Sequence, residues 1–178
     1  MKIIAISGSL RARSSNLALL RAAAAIAPAG MEVDIYDGLA SFPHFNPDDD
    51  EEGATPPAPV AALRALLAEA DGIVISTPEY AHGLPGSLKN ALDWLVSDGA
   101  LVDKPVAILS ASPIGGQFAQ SSLVEILTTM NWRVLGTWTA PTKVRDENVD
   151  QNVAAVIRSA LAALTNSSSP RPPTTDNR

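Results

Sequence analysis

Cysteine is absent from this sequence of 178 residues, and aromatic residues make up only 4% of it. Without cysteine the chain forms no disulfide, thiolate metal site or cysteine nucleophile, so any redox chemistry must belong to a bound cofactor. Hydrophobic residues make up 46% of the chain, and they are mainly Ala, Val, Leu and Ile. Such a composition is typical of a parallel sheet covered by helices.

Dense positive charge is also missing. No Lys/Arg cluster is longer than a pair, and the formal net charge is −6. The negative electrostatic field that results from this net charge repels phosphate polymers, so nucleic acid is not expected as a partner. The N-terminal apolar run covers only residues 3–6, whereas a secretory segment needs roughly 7–15 apolar residues and a membrane span about 20. We therefore expect a cytoplasmic protein with no membrane partner.

Short apolar segments alternate with helical ones along the chain. The pattern predicts strands at 3–6, 31–36, 73–76, 105–109 and 133–138, and helices at 16–27, 60–70, 84–96, 118–130 and 148–164. Regular β-α alternation favours an α/β fold, a doubly wound five-stranded parallel sheet with right-handed crossovers and helices on both faces.

Two segments depart from this alternation. Residues 37–59 are rich in proline and acidic residues, which predicts a long surface excursion that makes no packed element. Residues 165–178 have no apolar anchor and are predicted to form a disordered C-terminal tail. The remainder, 1–164, is predicted to be one domain.

The loop after the first strand has the composition of an anion site. It carries hydroxyls, an amide and guanidinium groups immediately before a helix N-terminus, where free N–H groups and the dipole favour a phosphate. The sequence has neither a P-loop nor a dinucleotide fingerprint, so a single terminal phosphate fits best. A plain alternative is that the polar residues are ordinary helix caps and the arginines are solvated. The candidate ligands here are Ser9, Leu10, Arg11, Ser14, Ser15 and Asn16.

The loop after the third strand has the composition of a wall for a flat ring. Pro78 and Gly83 stiffen and bend it, while Tyr80 and His82 supply rings that can lie against a heterocycle. Taken alone, His82 is more simply a surface histidine. The candidate residues are Pro78, Glu79, Tyr80, Ala81 and His82.

A third loop follows the fourth strand, and its paired glycines allow the backbone to approach a ligand closely. Glycine pairs are also common in ordinary turns, but all three loops leave the carboxyl ends of strands and should enclose one site. The candidates from this loop are Ser110, Ala111, Ser112 and Gly115. No metal ligand set and no catalytic side chain is predicted.

These loops resemble those of the NADPH-dependent FMN reductases, a flavodoxin-like group that includes chromate, quinone and azo-dye reductases. The likeness runs from residue 1 to about residue 164 and is most specific in the second loop and the helix after it. The family usually shows Asn after Pro-Glu-Tyr, whereas this sequence reads Ala81-His82. The matching segments are Gly8-Ser9-Leu10-Arg11 with Ser14 and Asn16, Pro78-Glu79-Tyr80, Pro85-Gly86, Leu88-Lys89-Asn90-Ala91, Asp93-Trp94, Lys104-Pro105-Val106 and Gly115-Gly116.

The resemblance implies a three-layer sheet of order 2-1-3-4-5 that binds FMN, with its phosphate on the first loop and its isoalloxazine between the second and third. It also implies ping-pong hydride transfer from NADPH or NADH to a small acceptor such as a quinone, azo compound, free flavin or oxyanion. A homodimer or homotetramer is expected on the same basis. Two alternatives stay open: a flavodoxin-like electron carrier that does not oxidise NAD(P)H, and a flavin-free binding domain that keeps only the fold.

Overall fold

The structure is a computed structural model that describes residues 1–167, and its centre is a five-stranded parallel sheet. The strand order β2-β1-β3-β4-β5 confirms the predicted doubly wound, flavodoxin-like α/β fold. The strands are β1 (Lys2–Ser7), β2 (Glu32–Tyr36), β3 (Gly72–Ser76), β4 (Pro105–Ala111) and β5 (Arg133–Ala140). The helices are α1 (Ser15–Ala25), α2 (Ala58–Glu69), α3 (Gly86–Asp93), α4 (Gln117–Thr129) and α5 (Gln151–Ser167).

Each of the three inner strands is buried on both faces, because consecutive side chains point to opposite sides of the sheet. In β1, Ile4 and Ile6 pack with the apolar faces of α2, α3 and α4, whereas Ile3 and Ala5 pack with α1 and α5. Strand β4 repeats the arrangement, with Ala107 on the α1 and α5 side. The fully apolar runs predicted as buried strands are therefore the middle of the sheet.

Helix α5 begins where Asp150 caps it, because the carboxylate oxygen Oδ1 accepts a hydrogen bond of 2.9 Å from the N–H of Val153. It continues to Ser167, beyond the predicted domain end at residue 164. The rest of the predicted tail, residues 168–178, lies outside the described residues.

Helix α3 is shorter than the predicted 84–96. Its first residue is Gly86, because Pro85 disfavours a helical conformation at the residue before it. Its last residue is Asp93, because the carbonyl oxygen of Trp94 accepts hydrogen bonds from the guanidinium of Arg64 on α2. The contact between Arg64 and Trp94 therefore coincides with the end of α3, whereas the spacing of hydrophobic residues alone predicted a helix to residue 96.

The prediction that residues 37–59 make no packed element is wrong. Two short 3₁₀ turns form at Gly38–Ser41 and Pro47–Asp49, and α2 already begins at Ala58. The carbonyl oxygen of Pro43 accepts hydrogen bonds from Trp94 Nε1 (3.0 Å) and Asn90 Nδ2 (2.8 Å). Proline and charge prevent a long regular element here, but polar side chains on and after α3 hold the segment against the domain.

A partly buried ion pair fixes the acidic part of this segment. Arg64 Nη2 lies 2.8 Å from Asp50 Oδ1, and Ser97 Oγ donates to Asp50 Oδ2 at 2.7 Å. Burial acts to raise the pKa of Asp50, but the hydrogen bonds from Ser97 and Arg64 and the charge of Arg64 outweigh it and lower the pKa below 3.8. The folded protein therefore favours the charged form of the Asp50 side chain.

Replacing Asp50 by Asn should lower the free energy of unfolding by about 1–2 kcal/mol at neutral pH. A carboxyl group whose pKa is lowered by folding stabilises the protein above its unfolded pKa, and this stabilisation is lost as the pH falls through the folded pKa. Urea unfolding of wild type and Asp50→Asn should therefore differ at pH 7 and converge in acid. Asp49→Asn is the matched control, because Asp49 is exposed and makes no ion pair within residues 1–167. A constant difference at every pH would contradict the assignment.

Candidate active site

Four strands end at one edge of the sheet and open into one cavity. The pairings Ser7–Ser76, Ser76–Leu109 and Ala111–Ala140 align the carboxyl ends of β1, β3, β4 and β5. In open α/β sheets this edge is where ligands bind. The cavity there has a volume of about 750 Å³. Its walls are Ser9, Arg11, Ala12, Arg13, Ser14, Ser15, Asn16, Ala18, Arg21, Pro78, Tyr80, Ala111, Pro113, Lys143, Val144 and Arg145.

The N-terminus of α1 faces this cavity with free donors. Ser14 is the N-cap, and its hydroxyl oxygen accepts a hydrogen bond of 3.3 Å from the N–H of Leu17. The backbone N–H groups of Ser15 and Asn16 have no acceptor within residues 1–167. The Ser14 side chain is thus an ordinary helix cap. The N–H groups of Ser15 and Asn16 remain unpaired, and such free donors at a helix N-terminus favour an anion.

Asn16 connects the first loop to the ends of β3 and β4. It is 4% exposed, and its Oδ1 accepts hydrogen bonds of 3.0 Å from the Ser76 hydroxyl and from the N–H of Ala111. Because a backbone N–H can only donate, this network fixes which end of the side-chain amide is oxygen. The Nδ2 group has no acceptor in the described part of the chain, and the residue lines the cavity. Asn16 therefore offers a buried, oriented donor to a ligand.

Gly8 allows the first and second loops to lie in contact. Its N–H donates to the carbonyl oxygen of Ser76 at 2.8 Å. A Cβ at this position would lie 2.7 Å from Thr77 Oγ1 and 2.9 Å from Leu88 Cδ2. Any other residue would therefore force the buried side chains of Thr77 and Leu88 to move, and Thr77 belongs to the second loop beside the cavity.

The second loop ends in a tight hairpin. Tyr80 and Gly83 exchange two backbone hydrogen bonds of 3.0 Å, and the two residues between them are left-handed, with φ of 49° at Ala81 and 58° at His82. Such turns favour Asn and Gly, so these residues carry backbone strain. The hairpin places the His82 ring 4.2 Å from the Phe118 ring, centroid to centroid, with an interplanar angle of 16°.

One hydrogen bond joins the second loop to the first turn of α4, just after the third loop and outside the cavity lining. Glu79 Oε2 accepts a hydrogen bond of 3.0 Å from the N–H of Ala119 in the first turn of α4, where a carboxylate is favourable. Gly115 and Gly116 precede that helix with φ of 100° and 81°, a conformation that glycine adopts without strain. The glycine pair therefore shapes the start of α4.

The structure brings eight of the predicted site residues to the cavity: Ser9, Arg11, Ser14, Ser15, Asn16, Pro78, Tyr80 and Ala111. The others lie elsewhere: Leu10, Glu79, Ala81, His82, Ser110, Ser112 and Gly115. Strand β4 extends to Ala111 rather than 109, so Ser110 is a strand residue that is 2% exposed. Leu10 lines a separate shallow pocket beside Tyr36.

Sequence reasoning missed a fourth wall. Lys143, Val144 and Arg145 follow β5, and Arg21 lies on α1. The sequence did contain a signal for this wall. Strand β5 ends at the same edge of the sheet as β4, and the two cations Lys143 and Arg145 follow it within five residues. Pro113 of the third loop was also not assigned to the site.

The residues present fit FMN. Ligand pockets commonly measure about 300–1,000 Å³, and the cavity of about 750 Å³ lies within that range. The α1 N-terminus with Asn16 has donors for a phosphate monoester. Pro78, Tyr80, Ala111 and Pro113 form a largely apolar wall for a flat ring. No carboxylate and no histidine belongs to the lining.

The flavodoxin-like fold, with a cationic cavity at the carboxyl edge of the sheet, indicates a flavin-binding protein of the flavodoxin-like class. The family model described as NADPH-dependent FMN reductase matches residues 1–144. A quinone reductase of Escherichia coli K12 is 41% identical over 140 residues, which is 76% of this chain and 73% of that protein. A 2-hydroxy-1,4-benzoquinone reductase of a Burkholderia species is 38% identical over 128 residues, 69% of this chain and 68% of that protein.

The structure of FerB, a flavoenzyme NAD(P)H:(acceptor) oxidoreductase from Paracoccus denitrificans, superposes with a TM-score of 0.73 at 25% identity. The match covers 94% of this chain and 96% of that one. The chain belongs to the NADPH-dependent FMN reductase family. It is an oxidoreductase that uses FMN and NAD(P)H to reduce small-molecule acceptors, which confirms the resemblance seen in the sequence.

Proposed function

We propose that this protein reduces quinones, with NAD(P)H and the quinone occupying one slot in turn. The observation that carries the proposal is the cavity of about 750 Å³ at the carboxyl edge, whose lining combines cationic and apolar side chains. Relatives named quinone reductase support the acceptor class. The overall reaction is quinone + NAD(P)H + H⁺ → hydroquinone + NAD(P)⁺.

The chain's own contribution is binding and orientation. The N–H groups of Ser15 and Asn16, with Asn16 Nδ2, would hold the FMN phosphate, and Arg11 would add positive charge. Pro78, Tyr80 and Ala111 would position the isoalloxazine. When bound, FMN supplies the hydride and electron chemistry that no side chain in this cavity can provide.

We expect the proton that completes reduction of the quinone to come from water. Its lining contains no carboxylate and no histidine, so the groups that most often act as general acids are missing from the walls. Water reaching the open mouth would supply the proton.

An anaerobic titration tests the reductase and its order of steps. NADPH or NADH added stoichiometrically to the FMN-loaded protein should bleach the visible flavin absorbance fully. One equivalent of 1,4-benzoquinone should then restore it, and steady-state double-reciprocal plots should be parallel. Flavin that keeps its absorbance in excess NAD(P)H would overturn the proposal in favour of an electron carrier. Intersecting plots would contradict a shared slot.

The stacked pair of His82 and Phe118 is expected to influence acceptor choice. The pair ties the hairpin that carries Tyr80 to α4, and Phe118 is 46% exposed. Because such ring pairs contribute about 0.5–1.5 kcal/mol, Phe118→Ala should raise KM for naphthoquinones by roughly 2–10-fold. The Kd of FMN should change less than this KM, because the proposed phosphate donors are at the N-terminus of α1 and not on the hairpin. Phe118→Tyr, which keeps the ring, is the control; equal effects of both variants would show that the stacking is irrelevant.

We also propose that the protein acts in the cytoplasm and as a homo-oligomer. No helix in residues 1–167 is long and apolar enough to cross a membrane. Support for self-association comes from exposed apolar side chains on the loops around the cavity, among them Leu10 (58% exposed) and Ile114 (91% exposed). Light scattering of the FMN-loaded protein should give a mass at least twice 18.5 kDa; a monomer would contradict the second proposal.

A further inference from the structure

Positive charge is concentrated in the cavity although the chain as a whole is acidic. The formal net charge is −6, yet the lining includes five cationic side chains and no carboxylate. These are Arg11, Arg13, Arg21, Lys143 and Arg145. A cleft lined by charge of one sign focuses the field and attracts an anion of the opposite sign.

None of these five cations has an ion-pair partner within residues 1–167. Elsewhere on the surface Lys2, Arg64 and Lys89 each pair with a carboxylate. The cavity cations are thus left available to a ligand, at the cost of mutual repulsion that an anion would relieve.

The acidic residues that follow Arg145 form no ion pair with it in the described chain, although Asp146 and Asp150 line a neighbouring groove with Lys143 and Arg145. Asp146 Oδ1 accepts a hydrogen bond of 2.9 Å from the N–H of Asn148, and Asp150 Oδ1 caps α5. Glu147 makes no ion pair with any cation in the described residues. Backbone N–H groups therefore engage two of these three carboxylates.

The five cations can be divided into two groups by the elements that carry them. Arg11 and Arg13 belong to the loop before α1, beside the donors of Ser15 and Asn16. Arg21 lies seven residues beyond the N-cap Ser14, or roughly 10 Å along the helix axis at about 1.5 Å per residue. Lys143 and Arg145 follow β5 and line the same cavity, and Arg21, Lys143 and Arg145 are taken together as the second group.

One phosphate monoester carries about two negative charges at neutral pH, and the α1 N-terminus with Arg11 and Arg13 is sufficient for it. The second group has no role in that interaction. We infer that Arg21, Lys143 and Arg145 bind the 2′-phosphate of NADPH and make NADPH the preferred donor. The inference rests on the proposed function, because it places the donor in the same cavity.

A 2′-phosphate fits this group better than the pyrophosphate that NADPH and NADH share. The 2′-phosphate is a dianionic monoester at the adenosine end of the hydride donor NADPH. The side chains of Arg21, Lys143 and Arg145 are exposed and can therefore reach such a group. NADH has a hydroxyl at this position and would leave the three cations unpaired. Discrimination between the two donors then follows from charge alone.

Kinetics of FMN-loaded protein test this assignment. Lys143→Gln/Arg145→Gln and Arg21→Gln should each raise KM for NADPH, by at least about 10-fold for the double variant. KM for NADH should change less than about 2-fold, since rim charges alone have small effects. The KM for NADPH of wild type should rise with salt more steeply than that of the variants.

Ligand binding without turnover gives a second readout. Adenosine 2′,5′-bisphosphate should bind FMN-loaded wild type more tightly than 5′-AMP in calorimetry, and the double variant should lose this difference. Arg158→Gln is the matched control, because Arg158 is an exposed cation without an ion-pair partner in the described chain and lines a different groove. It should leave both KM values unchanged.

Three results would overturn the inference: equal increases of KM for NADPH and NADH, no change in either, or weaker FMN binding in place of weaker NADPH binding. Failure of the proposed function is a separate result. A wild type that binds FMN but oxidises neither donor would refute the reductase, while the binding of adenosine 2′,5′-bisphosphate would still decide whether the 2′-phosphate subsite exists.

Discussion

Replacing Asn16 by Leu should lower the free energy of unfolding by about 2–4 kcal/mol, because two buried donors lose their acceptor. These donors are the Ser76 hydroxyl and the N–H of Ala111, both 3.0 Å from Asn16 Oδ1. The same change removes Nδ2 from the cavity, so FMN affinity should fall by about 10–100-fold. Urea unfolding of the FMN-free protein and quenching of flavin fluorescence measure the two effects separately.

Asn16→Asp separates the structural role from the binding role. Its carboxylate still accepts from Ser76 and Ala111, so the stability loss should be smaller than in Asn16→Leu. It has no amide N–H and places negative charge near a phosphate, so FMN affinity should fall at least as far. If both variants bound FMN like the wild type, the oriented donor at Asn16 would have no role in the site.

The second large effect is expected at Gly8. In Gly8→Ala the new methyl group would lie 2.7 Å from Thr77 Oγ1 and 2.9 Å from Leu88 Cδ2, closer than real contacts allow. The buried side chains of Thr77 and Leu88 must then shift within a packed region, which should cost about 1–3 kcal/mol of stability. FMN binding should weaken as well, because Ser9 and Pro78 belong to the first and second loops and both line the cavity.

Gly86→Ala is the control for this substitution. A Cβ at Gly86 meets nothing within 4 Å, and the residue begins α3. Alanine should be neutral there or slightly stabilising, since it loses less backbone entropy than glycine. Similar thermal midpoints for Gly8→Ala and Gly86→Ala would contradict the close loop contact.

The inner sheet could be predicted because its signal is local. Apolar runs such as 73–76 are buried on both faces, so every residue in them carries the pattern. Strand ends gave less signal: Ser110 and Thr139 pair with each other in the structure, but as polar residues they look like loop. Sequence patterns therefore located the strands more accurately than their last residues.

The segment 37–59 could not be predicted from its own composition. Its order depends on Asn90 and Trp94, whose hydrogen bonds to Pro43 join positions more than forty residues apart. The end of α3 is similar, because Arg64 on another helix binds the Trp94 carbonyl. Such contacts exist only after the helices have packed, so local propensity does not contain them.

The candidate site was predictable in its first three loops for a topological reason. The carboxyl ends of parallel strands share an edge, so polar or glycine-rich residues after β1, β3 and β4 had to meet. Arg21 was missed because an arginine on a helix surface is most simply solvated. Lys143 and Arg145 were missed because two separated cations after an edge strand are most simply solvated surface residues.

The central claim is that the carboxyl-edge cavity recognises a phosphorylated flavin through the N-terminus of α1 and the cations beside it. The most direct test compares the Kd values of FMN and riboflavin, which differ only in the phosphate, in the same fluorescence titration at low and high salt. FMN should bind at least about 100-fold more tightly than riboflavin at low salt, and this ratio should fall as salt is added. Equal affinities for FMN and riboflavin, unaffected by salt, would contradict it.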